Sequence, residues 1–291
     1  MVLLTIENLE VQYGKQTALK IDKPIAIEKG DRIGVIGSNG AGKSTFVRAL
    51  LGLIPYSGVI QTELKKTDMA VHLQENEYVN SMPVKYIMEG ILNTKIKLNR
   101  QLEELITFFE FEQCLSKRFR ALSGGQKQRL TIIMVLMQNA PLTFYDEVTS
   151  GLDFETRQRL MEKLVDWYTD RDNSLVVVSH YYEELENLVD KILILDKGKV
   201  VAFGKKEELF QRFCGNAVTI LANTKENEQL VRSFEKIESP KHLIAISCKT
   251  KETELKLMEL LISRNINFKR STDDIEIMSI NAKCEYFRKG E

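Results

Sequence analysis

The fold of this chain is decided by the stretch Gly37-Ser38-Asn39-Gly40-Ala41-Gly42-Lys43-Ser44-Thr45, called the phosphate loop below. It fits the pattern G-x-x-x-x-G-K-[ST], between a predicted strand ending at residue 36 and a predicted helix through Phe46 and Leu50. The glycines allow backbone N–H groups to converge on phosphate oxygens beside the positive end of the helix. Lys43 would neutralise phosphate charge, and Ser44 would ligate Mg²⁺. The stretch therefore predicts a nucleotide-binding α/β fold, and the lack of G-x-G-x-x-G after the strand argues against a dinucleotide.

Two acidic residues follow another apolar strand. Asp146 and Glu147 come directly after residues 142–145, which predict a buried strand. Acids at the carboxyl edge of an α/β sheet face the ligand crevice. Asp146 would hold the Mg²⁺ shell, and Glu147 would polarise an attacking water. An isolated Asp-Glu pair is usually part of a solvated loop, so this interpretation depends on the phosphate loop.

The hydrophobic pattern predicts strands interrupted by one block of helices. Strands are expected around residues 3–13, 25–36, 58–61, 69–73, 142–145, 175–178 and 192–195, with helices between about 76 and 139. Beyond residue 214 a small α/β tail follows, with a final strand expected at 275–280. We therefore expect a nucleotide-binding domain at 1–214, with a helical subdomain at about 76–139, and an accessory domain at 215–291.

The composition argues against several classes of protein. Lys plus Arg and Asp plus Glu each number 41 among 291 residues, so the net charge of zero gives no general attraction for nucleic acid. The four cysteines lie far apart, without the close pairs of a metal or redox site, which favours reduced thiols. No apolar run approaches the roughly 20 residues of a membrane-spanning helix. A role at a membrane would therefore need a separate partner.

The class of nucleotide-binding protein is indicated by Leu122-Ser123-Gly124-Gly125-Gln126-Lys127-Gln128-Arg129. A serine and two glycines at the start of a helix provide free N–H groups for a second anion. Alone, the segment would be an ordinary helix cap. The chain also lacks the Asn-Lys-x-Asp that a GTPase would need. The segment lies just upstream of the strand that leads to Asp146. At this position it resembles the signature motif of ABC ATPases. Residues Ser123–Gln126 are called the signature below.

The resemblance extends over most of residues 1–214. Tyr13 resembles the family's adenine-stacking aromatic residue, Gln74 its Q-loop glutamine, Asp153 its D-loop aspartate and His180 its switch histidine. Where the family often has proline after the catalytic glutamate, this chain has Val148. The resemblance implies that ATP is contacted by Tyr13, Ser38, Asn39, Gly40, Ala41, Gly42, Lys43, Ser44 and Thr45. It implies Mg²⁺ ligands at Ser44, Gln74 and Asp146, and catalytic roles for Lys43, Gln74, Glu147 and His180. The ATP of a partner chain would be contacted by Ser123, Gly124, Gly125 and Gln126.

The family arrangement also implies partners. Two ATPase domains face each other head to tail, and the phosphate loop of one and the signature of the other hold the same nucleotide. This chain has one of each, so it is expected to pair with a second ATPase chain, identical or paralogous. The resemblance implies ATP and Mg²⁺, a separate integral membrane permease, a peripheral position on the cytoplasmic face of the membrane and no nucleic-acid partner. Residues 75–86 are expected to line the groove for the permease's coupling helix.

The short helical block and the tail resemble ATPase subunits of ABC-2-type exporters, including Gram-positive exporters of antimicrobial or cytolytic peptides such as phenol-soluble modulins. This implies ATP hydrolysis that powers export of peptides or amphipathic compounds. The alternative is an importer ATPase whose tail senses a ligand. A translation factor would carry two such cassettes and a basic linker, and a DNA-repair ATPase would carry long coiled-coil insertions between residues 45 and 122. Residues 282–287 match the usual acidic-apolar ending of exporter ATPases only distantly.

Overall fold

The computed structural model describes residues 1–73, 78–169 and 171–288, and within them a large mixed sheet forms the centre of the molecule. Its strands are β1 (Val2–Tyr13), β2 (Gln16–Ile21), β3 (Ile25–Glu28), β4 (Arg32–Ile36), β5 (Ser57–Thr62), β6 (Met69–His72), β7 (Leu142–Asp146), β8 (Ser174–Val178), β9 (Lys191–Asp196) and β10 (Lys199–Lys205). The strand order is β3-β1-β2-β10-β9-β4-β8-β7-β6, and β5 pairs with β1. The sheet and its helices confirm the predicted α/β class.

The middle of this sheet is parallel and places the site residues at one edge. Strand β4 pairs in parallel with β8 and β9, and β7 pairs in parallel with β6 and β8. Every residue of β7 and β8 is buried, as expected for strands covered on both faces. The phosphate loop, the acidic pair and His180 follow the carboxyl ends of β4, β7 and β8. These segments therefore meet in the crevice where α/β sheets bind ligands.

Helices pack on the large sheet. They are α1 (Lys43–Leu50), α2 (Val84–Ile91), α3 (Arg100–Phe108), α4 (Gly124–Gln138), α5 (Phe154–Thr169), α6 (Tyr182–Glu186) and α7 (Lys206–Cys214). Three of those described, α2 to α4, lie between β6 and β7 in the sequence. Helix α4 is nearly surrounded by protein from Leu130 to Leu136. In the parts of the chain that the structure describes, no helix has the length and apolarity to cross a membrane.

The tail forms a second, antiparallel sheet. It contains β11 (Ala217–Ala222), α8 (Lys225–Leu230), β12 (Lys236–Ile237), β13 (Leu243–Cys248), α9 (Lys251–Ser263) and β14 (Phe268–Ser271), in the strand order β12-β13-β11-β14. The last element is helix α10 (Ile275–Arg288), so the strand expected at 275–280 is wrong. The domain boundary after residue 214 stays a prediction.

The C-terminal helix α10 forms where an alternating pattern suggested a strand. The carboxylate of Asp274 accepts a hydrogen bond from the N–H of Ile277 at 3.0 Å, which caps the first turn. Ile275, Met278 and Ala282 then share one buried face at helical spacing. Helix α10 packs against α7, α6 and β10, so the end of the chain returns to the large sheet.

The cysteines give a test of the packing. Cys114, Cys214 and Cys248 are buried, whereas Cys284 on α10 is partly exposed. Burial, with a smaller contribution from Asp274, raises the pKa of the Cys214 thiol to about 12, and burial also raises the pKa of Cys248. Because the thiolate is the reactive form, we expect only Cys284 to react rapidly with a disulfide reagent such as DTNB at pH 8.

The measurement is the number of thiols that react before and after unfolding in denaturant. The native chain should show one rapid thiol, and denaturation should expose the remainder. The variant C284S should show no rapid thiol. Rapid reaction of two or more thiols in the native chain would contradict the buried positions.

Candidate functional site: a phosphate loop, an acidic pair and a histidine around one cleft

The phosphate loop curls around the ammonium of Lys43. The Nζ of Lys43 donates to the backbone carbonyls of Gly37 at 2.9 Å and Ser38 at 3.1 Å. At Gly37 a Cβ would lie 2.3 Å from the carbonyl oxygen of Leu195, so only glycine permits this approach to the end of β9. Gly42, at φ 100°, turns the backbone directly into α1. The loop therefore presents a helix N-terminus and a buried cation to one cavity.

An open cleft of about 630 Å³ lies over the phosphate loop. Its lining comes from the end of β1 and the start of β2, from the phosphate loop, and from residues that follow β7, β8 and β9. The lining residues are Tyr13, Gln16, Thr17, Ala18, Asn39, Gly40, Ala41, Gly42, Lys43, Ser44, Thr45, Glu147, His180, Lys197 and Gly198. The cleft thus brings together an aromatic ring that can stack on a base, a loop that can bind phosphates and an acid–imidazole pair that can act on a water.

Glu147 and His180 form a hydrogen-bonded pair in this cleft. The Oε1 of Glu147 lies 2.7 Å from the Nε2 of His180, and both side chains are partly accessible. Glu147 has φ 53°, an unusual value for a residue with a side chain. The N–H of Glu147 donates to the carbonyl of Val178 at 3.0 Å, and its own carbonyl accepts from Ser150. The backbone therefore holds the carboxylate in a constrained position where it can orient a water.

Ser44, which lines the cleft, is hydrogen-bonded to the buried carboxylate of Asp146. The Oγ of Ser44 donates to the Oδ1 of Asp146 at 3.2 Å. Burial raises the pKa of Asp146, while the hydrogen bond from Ser44 lowers it. A hydroxyl and a buried carboxylate beside a phosphate site fit the oxygen ligands of Mg²⁺, whose charge would favour the ionised carboxylate. The residues present therefore suit the predicted metal.

The pKa of Lys43 depends on charges from distant parts of the chain. Burial lowers it, Glu147 and Asp146 raise it, and Lys283 of α10 lowers it. The first three effects are those expected for an ammonium that is buried beside two carboxylates. The last places an ammonium of the C-terminal helix close enough to influence the phosphate loop.

The signature lies away from this cleft. Ser123 caps α4: its Oγ accepts from the N–H of Gln126 at 3.3 Å, and the Gln126 side chain accepts from the N–H of Ser123 at 3.1 Å. Ser123, Gly124 and Gly125 are exposed, and none of them is among the lining residues. The structure therefore gives one chain a phosphate loop and a signature that do not meet.

The loop after Glu147 contacts the helix that the signature begins. The amide of Gln128 donates to the carbonyl of Val148, the residue that stands where the family often has proline. Val148 is itself buried. This hydrogen bond joins the loop after β7 to α4. It uses the backbone carbonyl of residue 148, so valine can make it as well as proline could.

Of the two remaining predicted site residues, one has a clear local role. Both carboxylate oxygens of Asp153 accept hydrogen bonds from Thr156, at 2.9 Å from its N–H and 2.8 Å from its hydroxyl, which caps α5 and lowers the pKa of Asp153. Asp153 is exposed and does not line the cleft. Gln74 lies outside the described residues, as does the start of the predicted coupling groove at 75–77.

A cluster around Glu184, which was not predicted from the sequence, holds the residues on either side of His180. Glu184 accepts from Ser179 at 2.6 Å and from Thr149 at 3.1 Å, and the guanidinium of Arg157 lies 4.0 Å from the ring centre of Tyr181. Burial raises the pKa of Glu184. These contacts tie the segments on both sides of His180 to α5 and to the loop after β7. An acid four residues after His180 was visible in the sequence, but its partners are distant along the chain.

Comparison with known proteins gives a consistent result. The family described as ABC transporter matches residues 23–150. The linearmycin resistance ATP-binding protein LnrL of Bacillus subtilis (strain 168) is 29% identical over 78% of this chain and 76% of its own length. The methionine import ATP-binding protein MetN of Corynebacterium diphtheriae is 30% identical over 75% of this chain and 72% of its own length. The dimeric post-hydrolysis structure of the ATP-binding cassette MJ0796, bound to ADP and Pi, covers 70% of this chain and 98% of its own at a TM-score of 0.60 and 22% identity.

Proposed function

This chain belongs to the ABC transporter family of ATP-binding proteins, and we propose that it hydrolyses ATP as one of two paired subunits that power export through a separate membrane permease. The observation that carries the proposal is the separation of the signature from the phosphate loop. The first N–H groups of α4 have no partners within their helix, and Ser123, Gly124 and Gly125 expose that helix start to solvent. A nucleotide held by the phosphate loop of a second chain would complete this anion site.

In the paired arrangement each chain contributes to two nucleotides. Tyr13 stacks on adenine, Lys43 and the loop N–H groups hold the phosphates, and the signature of the other chain closes over the γ-phosphate. Mg²⁺, when bound by Ser44 and Asp146 with Gln74 as a further predicted ligand, supplies charge neutralisation. Asp153 is exposed at the start of α5 and would face the second chain in this arrangement.

Hydrolysis would depend on the acid–imidazole pair. Glu147 orients and polarises the attacking water, since its carboxylate lies in the cleft at the end of β7. His180, 2.7 Å from that carboxylate, is placed to contact the γ-phosphate. Phosphoryl transfer requires mainly positioning and charge stabilisation, which the two chains together would supply.

Export is the direction that we favour for this chain. Two observations support this direction: the short helical block and the tail resemble those of ABC-2-type exporter ATPases, and one relative is a resistance protein. The cargo class that suits such a layout is peptides or amphipathic compounds. The 30% identity to a methionine import protein supports the second candidate, an importer ATPase with a ligand-sensing accessory domain.

A permease would bring the chain to the cytoplasmic face of the membrane. Two side chains near the predicted coupling groove are strongly exposed, Val79 at 55% and Tyr86 at 53%. Both lie within residues 75–86 and are accessible for the proposed contact with the permease. The groove would transmit closure of the ATPase pair to the permease.

Transport in inverted membrane vesicles tests the proposed direction. Vesicles from the native host that contain this chain and its permease should accumulate a fluorescent amphipathic peptide when Mg-ATP is added outside. Vesicles carrying E147Q should accumulate none, because they bind ATP without turning it over. ATP-driven loss of a preloaded nutrient, with no peptide accumulation, would contradict export and favour the importer.

A further inference from the structure

The carboxylate of Asp196 joins the phosphate loop to the C-terminal helix. Asp196 ends β9 and is only 8% exposed. Its Oδ1 accepts a hydrogen bond from the Oγ of Ser38 at 3.1 Å, and the Nζ of Lys283 on α10 lies 3.7 Å from the same oxygen. The ammonium offsets the charge of a carboxylate that has little contact with water, and a charged acceptor makes the stronger hydrogen bond with a hydroxyl.

The turn that follows Asp196 is bonded directly to the phosphate loop. The N–H of Gly198 donates to the carbonyl of Ala41 at 3.2 Å, and the carbonyl of Gly198 accepts from Lys20. Gly37 packs so closely on Leu195 that no Cβ would fit. A displacement of Asp196 and its turn would therefore be transmitted to the backbone that holds the phosphates.

Helix α10 is itself held at a fixed position. The ring of Phe287 on α10 lies 5.1 Å from the ammonium of Lys197, which belongs to the turn after Asp196. Glu285 on α10 pairs with Arg212 of α7 at 2.8 Å. Asn281 exchanges two hydrogen bonds with the backbone of Glu238, at 2.9 and 3.0 Å, just after β12. The helix thus connects the small sheet of the tail to the turn beside the phosphate loop.

We propose that Lys283 is a positioning residue for the nucleotide site: through Asp196 and Ser38, the C-terminal helix holds the phosphate loop in its binding conformation and so sets the affinity for ATP. This inference rests on the proposed function, because it assumes that the phosphate loop binds ATP. The tail, which contains none of the ATP-binding motifs, would in this way affect the binding of ATP. Lys283 is on this account not a catalytic residue, since it acts through Asp196.

The direction of the effect follows from charge. Asp196 places a negative group beside the site of a highly charged triphosphate, and Lys283 offsets it. Loss of the ammonium would leave a poorly paired buried carboxylate and weaken its hold on Ser38. We therefore expect K283M to weaken ATP binding by about threefold to tenfold, a typical size for a group that acts through a contact network. The turnover at saturating ATP should stay within about twofold, because Glu147 and His180 are untouched.

The experiment measures the Kd for ATP, KM, kcat and melting temperature of the full chain. K283R should restore affinity, because it keeps the cation. In the S38A background, K283M should cause no further loss, since the hydroxyl through which it acts is absent. K256M, which removes an exposed lysine paired with Glu252 on α9, is the control and should bind as the wild type does.

Three outcomes would overturn the inference while the proposed function stands. They are unchanged affinity in K283M, a loss that K283R does not restore, and an equal loss with and without Ser38. The first of these outcomes, if accompanied by a lower melting temperature, would assign Lys283 to packing alone. A wild-type chain that fails to bind ATP would instead overturn the proposed function.

Discussion

Replacing Glu147 with glutamine is expected to lower ATP turnover by about 10²- to 10⁴-fold while leaving ATP affinity close to that of the wild type. The substitution keeps the shape of the side chain and a carbonyl oxygen that can still accept from His180, 2.7 Å away. It removes the negative charge that polarises the attacking water. The phosphate loop, which provides the affinity, keeps its contacts with Lys43. ATP should therefore bind and hold two chains together without being consumed.

The measurement combines steady-state hydrolysis with sedimentation in the presence of Mg-ATP. E147Q should hydrolyse little and sediment as a pair, whereas the wild type should return to single chains as ATP is used. E183Q is the matched control, because Glu183 is an exposed acid on α6 close to His180. Turnover near the wild-type value in E147Q would remove Glu147 from its assigned role.

Adding a side chain at Gly124 is expected to abolish turnover while leaving the fold intact. A Cβ built at Gly124 meets no atom within 4 Å, so this chain has room for the substitution. Aspartate at the first turn of a helix even favours the helix. In the paired state, however, the new carboxylate would face the γ-phosphate held by the other chain. We expect G124D to lose at least about 100-fold in turnover, comparable to removing a main transition-state donor.

Comparison with Gly90 separates this effect from damage to a helix. Gly90 of α2 also has no atom within 4 Å of an added Cβ. G90D should fold and hydrolyse ATP at nearly the wild-type rate when assayed without the permease. Both variants should melt within a few degrees of the wild type. If G124D turns over as fast as G90D, the signature does not contact nucleotide.

Local sequence signals predicted the parts of the site that lie within single segments. The phosphate loop is recognisable because the loop, its lysine and its helix are contiguous, and the acidic pair because it directly follows a buried strand. The α/β ABC ATPase fold inferred from these segments is confirmed. Export, the domain boundary and the individual roles of the site residues stay predictions.

The sequence could not reveal contacts between segments that are far apart in the chain. Ser38, Asp196 and Lys283 meet only after β4, β9 and α10 are packed. The end of the chain was also misread, because Ile275 and Ile277 alternate with polar residues as in a strand. Capping by Asp274 and burial of Met278 and Ala282 at helical spacing decided in favour of the helix. The tail therefore reaches Asp196, beside the phosphate loop, through a helix whose first residues, 275–280, were predicted as a strand.

If two chains share each nucleotide, mixing two variants that are inactive for different reasons should restore activity. K43A lacks a working phosphate loop but keeps its signature, whereas G124D has the reverse defect. Alone, neither should hydrolyse ATP. Mixed in equal amounts, half of the pairs would combine the two variants, and each such pair would contain one complete site. The account predicts that about one quarter of the wild-type activity returns if complete sites act independently. Activity no greater than the sum of the two separate variants would contradict it.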